Sequence, residues 1–351
     1  MHLGTPALLA FCASHQKEDS LVLATIIGTC GSTYRKTGAM MLISRDSAFE
    51  GMISGGCLEG DLLEHAAAVF ESGKPALITY DMSADDDLIW SLGIGCDGVI
   101  HLLLQRLDRS DGLDVFRRVE RSHAERLPAM LAIVTSGNGS AGLGTLAFLD
   151  GAGAQAGEPA LQAILAEAGS DWPDWRCKST RLGDSDVLLI NMPPRVRVLI
   201  CGAGPDAVPV AEAFCRLDWE VVVVDHRSAF ARADRFPSGC KIMHIRQSDL
   251  NEAVDLDQLD AAVIMTHHLE SDAEYLGQLC ERPLSYLGLL GPTARKNRLR
   301  QMSGCTNRPV YGPVGLDIGA ELPAGIALSI AAEVHAVLNG RDGHPLAGVG
   351  S

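Results

Sequence analysis

One stretch limits the fold more than any other. The apolar run Val198-Leu199-Ile200-Cys201 passes straight into Gly202-Ala203-Gly204-Pro205-Asp206-Ala207. Glycines in so short a turn let a buried strand reverse into a helix whose first N–H groups face the bend. That geometry belongs to a doubly wound parallel sheet, where the helix N-terminus favours an anionic diphosphate. Asp225 closes the next apolar run at about the spacing of a carboxylate that holds ribose hydroxyls. The same turn also serves Rossmann domains that bind no dinucleotide, and Pro205 removes one N–H from it. Just upstream, Pro193-Pro194 forbids a continuing ladder or helix and marks a boundary. Downstream, strands are expected at 196–201, 220–225, 241–245, 261–266 and 285–289, with a last helix from Pro323 to Leu338 stopped by Gly340. Residues 196–340 thus read as a Rossmann-like domain, and 341–351 as a flexible tail.

Residues 1–192 read as a second α/β domain with a weak internal repeat. Leu23-Ala24 and Gly31-Ser32 recur as Leu131-Ala132 and Gly139-Ser140, and Gly38 and Gly51 recur as Gly144 and Gly157 after a two-residue deletion. The expected halves are 1–107 and 128–192, joined by a charged, helical-looking linker at 108–128, with 151–157 as a loop. The second half lacks the Arg35-Lys36 pair and anything like Ser54-Gly55-Gly56-Cys57, so a duplicated fold would keep its chemistry in the first half. With 37 glycines and 5% aromatics, the composition suits α/β layers better than an all-β sandwich.

A formal charge of −15 and the lack of a basic cluster argue against nucleic acid. No apolar run nears the roughly 18–20 residues that span a bilayer, and the first 20 residues lack the pattern of a secretory signal. A cytoplasmic protein is expected. Its ten cysteines include no Cys-x-x-Cys, so reduced thiols, most of them small core residues, are the starting expectation.

Several constellations could carry chemistry. Gly31-Ser32-Thr33-Tyr34-Arg35-Lys36-Thr37-Gly38 joins hydroxyls and free amides to two cations and suits a phosphate or carboxylate, or equally a solvated hairpin. Ser54-Gly55-Gly56-Cys57 leads into a helix whose apolar face is Leu58, Leu62, Ala66, Val69 and Phe70, ended by Gly73. The helix dipole favours a Cys57 thiolate, while Glu59 and Asp61 oppose it. Gly95-Cys96-Asp97-Gly98 sets another thiol among glycines before a strand, as a soft ligand or an incidental turn residue. Thr266-His267-His268 ends a strand, and adjacent residues on a strand face opposite ways, which disfavours a two-histidine metal site. The Gly288–Arg295 and Gly312–Gly319 loops, with Gly291 and Asp317, should join Asp225 and Arg227 around the strand ends.

In order and spacing, these motifs together resemble the XdhC/CoxI family of xanthine dehydrogenase accessory proteins. Residues 31–38 look like its Gly-Ser-Thr-Pro-Arg-x-x-Gly loop, residues 55–60 like Gly-Gly-Cys-Val-Glu-Gly, and residues 95–98 like Gly-Cys-Gly-Gly. The 202–204 turn, Asp225-His226-Arg227, Thr266-His267, the 288–291 run and residues 313–317 echo its Rossmann part. Tyr34 replaces the usual proline, and Pro205 stands where histidine is frequent. The resemblance implies a carrier rather than an enzyme. Such a carrier binds molybdenum cofactor, as Mo-molybdopterin or its cytosine dinucleotide form, protects it and presents it to a cysteine desulfurase. It then inserts the cofactor into a xanthine dehydrogenase/aldehyde oxidase-type apo-enzyme. Residues 31–33, 35, 36, 38, 54–57, 202, 204, 225, 227, 266, 267, 291 and 317 are the expected cofactor contacts, with Cys57 and Cys96 as working thiols and Cys57 as a transient molybdenum ligand. A homodimer is the expected assembly. Two readings compete: an NAD(P)-dependent oxidoreductase, although no tyrosine has a lysine four residues on, and a redox-sensing nucleotide-binding module using Cys57 and Cys96.

Overall fold

The computed structural model describes residues 5–82, 98–109, 112–137, 141–170, 172 and 175–347. The chain divides into two compact units, Met1–Pro194 and Arg195–Ser351.

The first unit is built twice from one plan. Its first copy runs α1 (Thr5–Ser14), β1 (Ser20–Gly31), β2 (Met40–Ile43), β3 (Phe49–Gly51), α2 (Glu59–Ser72), β4 (Ala76–Asp81) and β5 (Gly98–Asp108). Its second runs α3 (Gly112–Ala124), β6 (Ala129–Ser136), β7 (Leu146–Asp150), β8 (Gln155–Gly157), α4 (Pro159–Ala168), β9 (Cys177–Leu182) and β10 (Ser185–Met192). Each copy forms a five-stranded antiparallel sheet, ordered β3-β2-β1-β5-β4 and β8-β7-β6-β10-β9.

Side-chain alternation sorts these strands into layers. In β1, Leu21 and Leu23 join Leu131, Ile133 and Ile190 in a core shared by the two sheets. The intervening Val22, Ala24 and Ile26 pack beneath Leu62, Ala66 and Val69 of α2. In β6, Met130, Ala132 and Val134 lie likewise under Leu161 and Leu165 of α4. The two sheets therefore stack face to face, with a helix on each outer surface. The turn after each first strand repeats bond for bond. Gly38 N donates to Ile26 O at 2.8 Å and Gly144 N to Val134 O at 2.9 Å, with φ of 85° and 78° at the two glycines.

Two details of the sequence reading change. The charged segment expected to link the halves is α3, which stands where α1 stands in the first copy. Leu8 of α1 and Phe116 of α3 enter the same inner core. The loop expected at 151–157 ends in the short strand β8.

The second unit runs β11 (Arg197–Cys201), α5 (Ala207–Arg216), β12 (Glu220–Asp225), β13 (Lys241–His244), α6 (Leu250–Ala253), β14 (Ala261–Ile264), α7 (Leu269–Cys280), β15 (Tyr286–Leu289), α8 (Thr293–Ser303) and α9 (Pro323–Leu338). Its sheet is wholly parallel, ordered β13-β12-β11-β14-β15. Apolar residues on both faces of each strand are what such a sheet needs. Val198 and Ile200 pack with Val210 of α5 and Ile330 of α9, while Leu199 and Cys201 pack with Leu276 of α7 and Leu299 of α8. The order reverses between β11 and β14, which opens a crevice at their carboxyl ends.

Cys280 and Cys305 are joined by a disulfide, Cα atoms 5.7 Å apart, which corrects the expectation of uniformly reduced thiols. The packing of α7 against α8 brings together two cysteines 25 residues apart. Among the described residues, no helix is long and apolar enough to cross a membrane.

Candidate functional site

Two sequence motifs, 31–38 and 54–57, meet Gly98 at one end of the first sheet. The end of β1 pairs with the start of β5, Gly31 opposite Gly98. A Cβ on Gly98 would lie 2.4 Å from Ser32 O, so this position admits only glycine beneath the 31–38 loop. Next to it, β4 ends with Asp81 opposite Val99, and the Tyr80 hydroxyl donates to Asp61 in the first turn of α2. The start of α2 thus stands beside the same strand ends. Cys96, with 95 and 97, lies outside the described residues.

Inside the 31–38 loop, buried Thr33 organises its neighbours. Its hydroxyl donates to Arg35 O at 2.9 Å and accepts from Lys36 Nζ at 3.3 Å. Ser32 is exposed, Arg35 is half-buried and Lys36 is exposed. The absent side chain of Gly38 makes room for Cys177, whose Sγ would lie 2.1 Å from a Cβ there and bonds to Thr37 O. The second copy therefore contributes to this loop. Arg176, which precedes Cys177, has its pKa lowered by burial, with Cys177 opposing and repulsion from Arg35 adding to the effect. Burial pushes the Cys177 thiol up to about 11, Arg176 partly compensating. Arg35 is thus close enough to Arg176 for their charges to repel, while Lys36 turns to Thr33. Arg176 carries no signal in its own sequence neighbourhood and becomes visible only through the fold.

The 54–57 loop is moulded by Glu59. Its carboxylate accepts from Ser54 N at 2.9 Å, from Ile53 N at 3.3 Å and from the Ser54 hydroxyl. Ser54 Oγ in turn accepts from Gly56 N at 3.2 Å and Leu58 N at 3.1 Å. Burial raises the Glu59 pKa, but hydrogen bonds from Ser54 and Ile53 outweigh it and hold the carboxyl below its usual range. In the sequence Glu59 is a like charge beside Cys57 within the 55–60 motif; in the structure it is the template of the loop. Its signal was a serine five residues before a glutamate at a helix start. Gly55, Gly56 and Gly60 would each carry a Cβ into open space, so this face admits a bulky group. Cys57 is half-buried and packs against the outer core, one residue before the Leu58 cap of α2. A further free thiol, Cys30, is exposed near the end of β1.

In the Rossmann unit the crevice is internally bonded. Gly202 has φ 118° and sits so close to β14 that a Cβ would lie 2.7 Å from Met265 O. Ala203 N donates to Asp225 Oδ2 at 2.7 Å, and Arg227 clamps both oxygens of that carboxylate. Burial raises the Asp225 pKa, but these bonds outweigh it and lower it overall. Asp225 is fully buried, so a ribose hydroxyl would have to displace Arg227 to reach it. The expected ribose carboxylate is instead the anchor of the turn. Gly204 leaves room for Asp206, whose Oδ2 lies 2.8 Å from His267 Nε2.

Thr266 is buried against Asp272, which also pairs with Arg295 at 2.7 Å, and a Cβ on Gly291 would press on the Arg295 chain. His267 is exposed with φ 65°, a left-handed conformation rare outside glycine, held by this support. Because β14 stops at Ile264, strand alternation does not govern the two histidines. They still diverge: His267 turns to Asp206, while His268 caps α7 by accepting from Ser271 N. Asp317 is exposed in the loop before α9. Among the described residues, the one His/Cys/carboxylate group close enough to share a metal is His15, Glu18 and Asp46, which includes none of these positions.

Fold and site together define a two-unit protein: a duplicated α/β sandwich with a cationic loop and a thiol loop in its first copy, followed by a Rossmann unit with an internally bonded turn. The chain belongs to the XdhC and CoxI family. Residues 14–81 match that family's model and residues 198–334 match the XdhC Rossmann domain. It is 31% identical over 334 residues to a probable xanthine dehydrogenase subunit of Bacillus subtilis, covering 91% of this chain and 93% of that protein. It is 23% identical over 323 residues to the molybdenum cofactor insertion chaperone PaoD of Escherichia coli, covering 90% and 83%. The crystal structure of a xanthine dehydrogenase from Bacillus halodurans superposes with a TM-score of 0.81 at 31% identity, over 97% of each chain.

Proposed function

We propose that this chain is an accessory protein of molybdoenzyme maturation. It receives molybdenum cofactor as cargo, shields it, holds it for sulfuration by a cysteine desulfurase, and passes it to a xanthine dehydrogenase/aldehyde oxidase-type apo-enzyme, acting as a homodimer. The carrying observation is the convergence, at one end of the first sheet, of the 31–38 loop with its cations and the open-faced 54–57 loop with its thiol. Arg35, Lys36 and Arg176 suit the cofactor phosphate, and Cys57 is a soft thiol at a place with room for a bulky metal group. Likeness to PaoD, a molybdenum cofactor insertion chaperone by name, and to a probable xanthine dehydrogenase subunit supports the same role. The Asp225–Arg227 anchor offers nothing to the oxidoreductase reading.

The test is to make Cys57→Ser and Cys96→Ser separately in the full-length chain. Each is scored for cofactor retained on purification and for activity of the partner dehydrogenase matured with it. Serine keeps the volume but is a harder and far less acidic ligand, so Cys57→Ser should mature the partner at a tenth of the wild-type level or less, with folding intact. Wild-type maturation by Cys57→Ser would reduce that thiol to packing. Turnover of a carbonyl substrate with NADH would overturn the carrier reading.

A further inference from the structure

Two cysteine pairs, each 25 residues apart in the chain, lie on opposite faces of the parallel sheet. Cys280 and Cys305 are buried on the α7 and α8 face and are already joined. On the other face Cys215 and Cys240 are free and half-buried, with their sulfurs 3.3 Å apart. Cys215 lies in the last turn of α5, and Cys240 directly precedes β13. A disulfide needs a separation of about 2.05 Å, so side-chain rotation has only ~1.2 Å to close. Partial exposure is what separates labile, regulatory disulfides from structural ones.

The stretch between the two sulfurs is bonded to the glycine turn of the crevice. Asp225 accepts from Ala203 N and is clamped by Arg227. Arg235 Nη1 donates to Ala203 O at 2.9 Å and to Phe230 O at 3.0 Å. Both guanidinium groups lie over the Phe230 ring, at 4.4 Å for Arg227 and 5.1 Å for Arg235. A crosslink removes disorder from any opened form of the stretch it closes. Here it would hold residues 226–240 on the turn.

We propose that Cys215 and Cys240 form a modification site, which a peroxide converts to a reversible disulfide that locks residues 226–240 over the glycine turn. One thiol reacts with hydrogen peroxide to give a sulfenic acid and water. The second thiol attacks that sulfur, the S–O bond breaks, and a second water leaves as the S–S bond forms. The peroxide gains the two electrons that the thiols lose, and both thiol protons end in water. A dithiol reverses the step and is itself oxidised to a disulfide. Burial, with the hydrogen bond to Cys215 adding to it, pushes the Cys240 thiol up to about 12, so closure waits for an oxidant. Neither thiol takes part in the proposed cofactor carriage, so the two readings fail separately.

The experiment treats the full-length protein with excess hydrogen peroxide, alkylates it, and maps its peptides by mass spectrometry before and after dithiothreitol. A Cys215–Cys240 linked peptide should form in most chains and disappear on reduction. Amide hydrogen exchange in residues 226–240 should slow about tenfold on oxidation and recover with dithiothreitol. In Cys215→Ser and Cys240→Ser, made separately, peroxide should leave that exchange unchanged. If one variant fails to fold, the other serves as the control. The proposal falls if no linked peptide forms, if the two thiols end as sulfinic acids, or if dithiothreitol does not reopen the bond. It falls equally if exchange in the wild type does not slow, or slows as much in the serine variants.

Discussion

The two copies of the first unit share strand order, glycine turns and a common core, yet they differ where chemistry would be done. Residues 52–58, seven in all, separate β3 from α2, while only Glu158 separates β8 from α4. The deletion removes the whole segment that carries Ser54 to Cys57. In the second copy the turn before Gly144 likewise lacks the Arg35-Lys36 pair. A sandwich of this kind constrains its strands through two buried faces and leaves the connections at its ends free to change. What it also shows is that a diverged copy still serves the first: Cys177 and Arg176 complete the 31–38 loop from across the sheet interface.

The largest expected effects probe the sameness of the copies. A Cβ on Gly51 would lie 2.4 Å from Met40 O, and one on Gly157 would lie 2.3 Å from Leu146 O, both at positive φ. Gly51→Ala and Gly157→Ala should each cost about 2–4 kcal/mol, read from the urea midpoint of the full-length chain. The two costs should agree within about 1 kcal/mol, and only Gly51→Ala should also reduce cofactor retention. Clearly unequal costs would mean that the copies bear different loads.

The next effect probes their difference. Arg35→Ala should weaken cofactor binding roughly tenfold to a hundredfold, about 1.4–2.7 kcal/mol. Arg176→Ala should act in the same direction and less. Arg181→Ala, in an exposed pair with Asp186 on the second copy, is the control and should change nothing. Unchanged affinity in Arg35→Ala at moderate salt would return that side chain to the solvated surface.

The smallest effect concerns pH. Because the folded state holds Glu59 below its ordinary pKa of 4.5, its contribution to stability is complete above that value and fades as pH falls through the lower folded one. Wild type should therefore be more stable than Glu59→Gln near neutral pH, with the gap narrowing below about pH 4.5. A gap that stays constant from pH 6 to 3 would show that Glu59 does not hold the loop as a carboxylate.

Much of the frame was legible from local pattern. The strand Glu220–Asp225 and the helix Pro323–Leu338 begin and end where the sequence reading set them. The paired glycines 38/144 and 51/157 share positive φ. Alternation, helix stops and left-handed turns are properties of a few adjacent residues, so a sequence displays them. The charged stretch before Pro128 has the helical look its sequence suggests, but a buried face with Leu113, Phe116 and Val119 makes it part of the second copy's core rather than a linker.

By itself, then, the sequence determined a Rossmann sheet and the motif-bearing loops, and offered only a weak repeat in the first unit. Tertiary structure alone decided which side chains meet. It set Arg176 and Cys177 beside the 31–38 loop, turned Glu59 from a neighbouring charge into a template, and joined Cys280 to Cys305. It also used Asp225 to lock Arg227 rather than leaving its carboxylate open to solvent. The physical reason is range. Backbone preference acts over a turn or two of chain, while hydrogen bonds, desolvation and packing act between residues that only the closed sandwich and the wound sheet bring together.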